Sequence, residues 1–158
     1  MNAIPCLTIQ DVANLDGILA EFLTKAEAEL TVVIDRGGNV ISQYGDMNVM
    51  DVTIIAALAA GSFAATKELA KRIGEIEFNA LYHQGNGNHI FMNSVDDDTI
   101  MITVFGKKTT VGLVRFYASG CAQNVGKLLH SLQNSGNGHG FKFDASDITA
   151  APIFADAK

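Results

Sequence analysis

The sequence predicts an α+β fold in which a helix, a β-hairpin, a long helix, three antiparallel strands and a second long helix follow one another. Three observations carry the prediction. Residues 52–73, VTIIAALAAGSFAATKELAKRI, hold a helical pattern with one Gly and no Pro. Residues 31–44 turn to β-branched and apolar runs on either side of Arg36-Gly37-Gly38-Asn39, the pattern of a tight hairpin. Residues 77–105 contain extended runs separated by Gln84-Gly85-Asn86-Gly87-Asn88 and by Asp96-Asp97-Asp98, loops short enough to make neighbouring strands antiparallel.

Thr8 and Asp11 form a capping box with Asp in the usual Glu position, and Val12, Leu15, Leu19, Phe22, Leu23 and Ala26 recur at three- and four-residue steps. A first amphipathic helix therefore runs to about Glu29. In the hairpin, Val32, Val33 and Ile34 are apolar on both faces, which suits a strand covered on both sides, whereas Ser42 and Gln43 suit an edge. Residues 46–51 lead to the long helix, with Asp51 as its N-cap.

That helix has two apolar surfaces. Ile54, Ile55, Leu58, Ser62, Ala65, Leu69 and Ile73 form one stripe, the spacing by which a helix lies on a core. Ala56, Ala59, Ala60, Phe63 and Ala70 form a second, fringed by Lys67, Glu68 and Lys71. Small residues around one aromatic ring let another backbone approach closely. The first stripe is accordingly expected to face the core and the second to form an interface; periodicity leaves open the alternative that the chain covers both. The apolar opening half, interrupted by Gly61, Ser62 and Thr66, is too short to span a bilayer, which takes ~20 residues.

Three strands are expected over Glu77–His83, His89–Val95 and Thr99–Phe105, the last apolar on both faces and therefore central. The final helix runs from about Thr109 to Leu132, with Val111, Val114, Ala118, Cys121, Val125, Leu128 and Leu132 in one stripe. Asn134-Ser135-Gly136-Asn137-Gly138 then breaks the pattern. The remaining stretch reads as a tail, loosely docked through Phe141, Phe143, Ile153 and Phe154 or disordered.

At 158 residues the chain suits one domain with a single core, and 48% hydrophobic against 18% charged residues is a globular composition. A mean hydropathy of +0.20 is high for a monomer and hints at contacts between subunits. The formal net charge is −6 and no basic cluster exceeds Lys107-Lys108, so a nucleic-acid role lacks its electrostatic footprint. The amino terminus lacks the basic and apolar regions of a signal peptide, and Cys6 and Cys121 have no CxxC spacing, so a cytoplasmic protein with free thiols is expected.

Candidate chemistry is sparse. Gly120 to Lys127 imitates a phosphate loop, but five residues separate its glycines, no Ser or Thr follows the Lys, and it lies within a helical pattern. Three consecutive carboxylates at Asp96–Asp98 do not converge from a tight turn on a cation. His83 and His89 flank a hairpin without the further ligands zinc needs. Cys121 belongs to a packed stripe, with His130 on another side of the helix. Of Arg36, Arg72 and Arg115, Arg36 at the exposed turn is best placed to act as an arginine finger. No active site, metal or cofactor is expected.

The order of elements, the text VVIDRGGNVIS, the small-residue helix after it and VGLVRFYASGCAQNVGKLL together resemble the Roadblock/dynein light-chain family, and within it the bacterial group related to the gliding-motility GTPase regulator. The resemblance covers Val12 to Leu132 and sets a domain over residues 8–134 apart from a tail over 135–158. It implies a five-stranded antiparallel sheet in order 2-1-5-4-3, with the long second helix on one face and the other two helices on the opposite face. It implies a homodimer in which second helices pack together and third strands meet edge to edge. The matching interface residues would be Ala56, Ala59, Ala60, Phe63, Lys67, Ala70 and Lys71 on the helix, with Phe78 and Tyr82 on the edge. It also implies a small Ras-like GTPase as partner, received on the paired helices. Gliding-motility relatives speed GTP hydrolysis by reshaping the partner's own switch residues, whereas dynein light-chain relatives act as nucleotide-independent scaffolds. The tail has no counterpart in the shared core, where it would compete for or extend the partner surface.

Overall fold

Alternation along the strand Leu30–Asp35 (β1) divides one apolar run between two cores. Leu30, Val32 and Ile34 point to one face of the sheet and Val33 to the other, and all are fully buried. The computed structural model describes residues 6–48 and 51–136. β1 turns through Arg36–Asn39 into Val40–Gly45 (β2), and after a helix come Ala80–His83 (β3), His89–Ser94 (β4) and Thr99–Phe105 (β5). All pairings are antiparallel and the order is β2-β1-β5-β4-β3, the one the resemblance implies. β1 and β5 share the middle, with Val32 opposite Ile102 and Val33 opposite Met101.

The helices are Ile9–Ala26 (α1), Val52–Arg72 (α2) and Val111–Gly136 (α3). α1 and α3 cover the face that carries Val33, Phe91, Met101 and Phe105. α2 covers the opposite face, over Val32, Ile34, Met92, Ile100, Ile102 and Val104. The sheet is thus the middle of three layers.

α1 begins at the expected box: Thr8 Oγ1 accepts from Asp11 N–H at 3.2 Å, and Asp11 Oδ2 accepts from Thr8 N–H at 2.8 Å. The Thr8 hydroxyl also donates to Asp11 Oδ2 at 2.6 Å, and that bond first, then the one from Thr8 N–H, holds the Asp11 carboxyl below its ordinary range. The helix ends at Ala26 rather than near Glu29 because Glu27 adopts a left-handed conformation, φ 53°. Val12 is 41% exposed, so the buried stripe starts a turn later, at Leu15. β3 is shorter than expected and starts at Ala80.

α3 continues past Leu132, and its contact line shifts along the way: Leu129 is buried where Leu128 was expected. The expected positions repeat every seven residues, whereas a straight α-helix drifts by ~20° per heptad against such a repeat. The tail's Phe141, Phe143, Ile153 and Phe154 lie outside the described residues.

Candidate functional site

α2 is fixed at both ends. Asp51 Oδ1 accepts from Ile54 N–H at 3.3 Å, capping the first turn. At the other end Gly74 takes φ +87°, its N–H donates to Lys71 O at 3.1 Å and that of Glu75 to Ala70 O at 2.9 Å, the paired bonds of a Schellman stop. A second glycine sets its position over the sheet. Gly38, also at φ +87°, brings the β1–β2 turn so close that an added Cβ would sit 2.9 Å from Ala57 Cα.

The two surfaces of α2 are exchanged relative to the sequence expectation. Ala56, Ala59, Ala60, Phe63 and Ala70 are buried against the sheet, and Phe63 stacks obliquely on Phe78 with ring centroids 5.1 Å apart. Burying the Phe63 ring contributes about 1.5–3 kcal/mol. The stripe expected to face the core faces outward instead: Ile54 is 56% exposed, Leu58 69%, Leu69 60% and Ile73 77%. By length and composition α2 also satisfies the requirement for crossing a membrane. Its apolarity is better explained by a helix whose small side seats on a sheet and whose large side awaits a second surface.

The outward stripe has an internal symmetry. Ile54 and Ile73 lie equally far from the point between Phe63 and Ala64, as do Leu58 and Leu69, Gly61 and Thr66, and Ser62 and Ala65. Large residues stand at the ends and small ones in the middle. A Cβ added to Gly61 meets nothing within 4 Å, so no contact among the described residues accounts for a glycine in this helix.

The flanking cations lie beside this stripe. Lys67 and Lys71 line a cleft of about 210 Å³ with Arg36, Asp96 and Asp97, between α2 and the two adjacent turns. Phe78 is half-buried on the α2 side, while Tyr82 packs on the opposite side, where its Oη lies 3.1 Å from His89 Nδ1. β3 pairs with β4 alone and forms the sheet's outer edge.

The residues weighed for chemistry are dispersed. His83 stands opposite Ile90 and His89 opposite Phe105, so the two histidines are not cross-strand partners. Asp98 N–H donates to Asp96 Oδ1 at 2.8 Å, a turn bond within the acidic tip. Among the described residues no group of three His, Cys, Asp or Glu side chains is placed to hold a metal. Gly120 to Lys127 lies inside α3. Burial pushes the Cys121 thiol up to about 12, which suits packing and not nucleophilic attack.

A family model for the Roadblock/LC7 domain matches residues 15–105, from the first buried turn of α1 to the end of β5. The chain belongs to the Roadblock/LC7 family. MglB from Myxococcus xanthus is 28% identical and superposes with a TM-score of 0.73 over 80% of this chain and 96% of its own. The gliding protein MglB from Thermus thermophilus is 22% identical, with a TM-score of 0.74 over 83% of this chain and 99% of its own. An uncharacterized protein from Aquifex aeolicus is 20% identical over 123 residues, 76% of this chain and 75% of that protein. Among the described residues of this Roadblock/LC7 fold, the outer side of α2 is an apolar surface left without a partner.

Proposed function

We propose that this Roadblock/LC7 protein is a homodimeric, non-enzymatic regulator of a small Ras-like GTPase, acting through a platform made by two α2 helices. The observation that carries the proposal is the outward stripe of Ile54, Leu58, Leu69 and Ile73. A two-fold interface must be self-complementary. A stripe symmetric about its own midpoint meets that demand when two copies of α2 cross antiparallel: Leu58 then packs on the partner's Leu69 and Ile54 on the partner's Ile73. Gly61, Ser62 and Ala65 let the backbones approach at the crossing. The sequence-matched contacts shift accordingly, with Ala56, Ala59, Ala60, Phe63 and Ala70 supporting the platform from below and Lys67 and Lys71 flanking it. Phe78 and Tyr82 remain candidates for the joining edge at β3.

Similarity to MglB, described as a gliding protein, supports a GTPase partner through the resemblance drawn from the sequence. The regulator would act by preferring one nucleotide state of its partner, since binding shifts an equilibrium only by differential affinity for the two states. Free Cys6 and Cys121 are compatible with action in the cytoplasm.

The test is affinity capture from native lysate in parallel with a non-hydrolysable GTP analogue and with GDP, the bound proteins being identified by mass spectrometry. Enrichment of a small GTPase in one nucleotide state alone supports regulation. Capture of the same partners in both states favours a scaffold of the dynein light-chain kind, and absence of any GTPase removes the proposal.

A further inference from the structure

On the face of the sheet opposite α2, a further cleft of about 320 Å³ lies between α3 and the β3–β4 edge. Small residues open it: Ala80 stands opposite Asn93 across the strand pair, and Ser119 and Ala122 line the α3 side. Phe91, Asn93 and Ala122 are buried at its floor, whereas Arg115 and Gln123 are exposed at its rim.

Two groups in this cleft lack partners. Among the described residues that line it, Arg115 is the one charged side chain. Its guanidinium sits 5.8 Å from the centroid of the Phe91 ring and makes no ion pair among the described residues. Asn93 is only 8% exposed, and its Oδ1 has no hydrogen-bond partner among the described residues. Its Nδ2 donates to Ala118 O at 3.5 Å, at the long limit of a hydrogen bond. A buried amide oxygen left unmet is costly, and turning this carboxamide toward the cleft gives up only that one long bond.

We infer that the cleft binds the C-terminal end of a short peptide, with the terminal carboxylate on Arg115 and a backbone N–H on Asn93 Oδ1. A guanidinium presents a planar fork of donors that fits the two oxygens of a carboxylate, and the Phe91 ring restrains its position. A carboxylate alone does not satisfy the site, because Asn93 Oδ1 requires a donor. Spacing supplies one. Phe91 and Asn93 are two residues apart on β4 and share a face, about 6.8 Å from each other. In an extended peptide the terminal carboxylate and the N–H of the penultimate residue are about 6 Å apart, one residue plus a carboxyl group. A volume of about 320 Å³ is at the small end of ligand sites, so the cleft takes the last two residues of a chain and not a helix. Asn79, Ser119 and Gln123 offer donors to the peptide carbonyls. The inference does not depend on a GTPase partner.

The test is a titration of the full chain with N-acetyl-alanyl-alanine, as the free acid and as the C-terminal amide, followed by amide-resolved NMR. The free acid is expected to bind with a Kd of about 1 mM or tighter and to shift the Asn93 side-chain amide signals, and the amide to bind at least about tenfold more weakly. Arg115→Gln, at an exposed position, should weaken binding of the free acid by at least about tenfold, and Asn93→Ala by about three- to tenfold. If Asn93→Ala unfolds the protein, the wild-type Asn93 signals carry that arm alone. No binding of the free acid at about 10 mM overturns the inference. So do equal affinities for acid and amide, and an affinity unchanged in Arg115→Gln. Displacement by an equal concentration of sodium acetate or sodium phosphate leaves only an anion on Arg115 and overturns it as well. Shifts confined to Lys67 and Lys71 place the carboxylate beside α2 and equally overturn it.

Discussion

Leu58→Glu tests the antiparallel α2 seam directly. Leu58 is 69% exposed in the protomer, so most of its transfer free energy is still available to a second surface. A leucine taken fully out of water contributes about 1.5–3 kcal/mol, which leaves about 1–2 kcal/mol per copy at the seam. A two-fold contact repeats, giving about 2–4 kcal/mol per dimer. At 1.4 kcal/mol per decade, the dimer Kd should rise by between about 30- and 1,000-fold, before any cost of burying the new carboxylate. Sedimentation equilibrium reads the Kd, and far-UV circular dichroism checks the fold. Protomer stability should change by no more than about 0.5 kcal/mol, since the side chain touches little within its own chain.

The symmetry of the stripe sharpens the test. If Leu58 meets the partner's Leu69, the double variant Leu58→Glu with Leu69→Lys places opposite charges across the axis twice per dimer. It should recover about tenfold of the lost affinity, in the range of partly desolvated charge pairs. A Kd within about threefold of wild type for Leu58→Glu, with the fold intact, would refute the stripe as the seam. Loss without rescue would refute the antiparallel register alone.

Three further outcomes follow from the same packing. Phe63→Asp should cost more than about 3 kcal/mol of protomer stability, because it removes a buried ring and places a carboxylate between α2 and the sheet; a cooperative urea transition at the wild-type midpoint would contradict this. Glu27→Gly should stabilise by up to about 1 kcal/mol and raise Tm by about 2–4 °C, since Glu27 holds φ 53° where glycine has no Cβ penalty. An Ellman titration at pH 8 should find one fast thiol, the exposed Cys6, with Cys121 reacting only on unfolding. Burial raises the Cys121 thiol from 9.0 to about 12, so the unfolded chain loses that proton first. The contribution of Cys121 to stability is therefore full below about pH 9 and is lost as pH rises towards 12.

Elements of this fold were legible where local chemistry sets them. Thr8 and Asp11 mark a helix start through two short hydrogen bonds, and Gly37-Gly38 marks a turn through the backbone it permits. The central position of β1 and β5 was legible too, because strands covered on both faces carry apolar residues without alternation. Ends set by tertiary contact were not. β3 begins at Ala80 because pairing with β4 ends opposite Asn93, and the α3 contact moves to Leu129 through the pitch of the helix. The site was half legible: that α2 has two apolar surfaces follows from its sequence, but which of them meets the sheet does not.

Residue size misleads at that point, and the reason lies in the sheet. Large aliphatic residues read as core and small ones as interface when a helix is considered alone. A helix on a sheet packs against whatever the strands present, and here the strands present Val32, Ile34, Met92, Ile100, Ile102 and Val104. With the layer between them already filled by branched side chains and Met92, the helix reaches interior density only by offering Ala56, Ala59 and Ala60, with Phe63 extended toward Phe78. The large residues are then displaced to the outer side. Their exposure is the consequence of a core already full, and their symmetry about the middle of α2 is a feature that packing on the sheet does not require. That symmetry is readable in the sequence alone, from the equal distances of Ile54 and Ile73, and of Leu58 and Leu69, on either side of small residues. In a twice-apolar helix it is a better guide to the face proposed to self-associate than side-chain volume, because a two-fold contact pairs i with j and j with i, which a symmetric stripe fits and burial against a sheet does not call for.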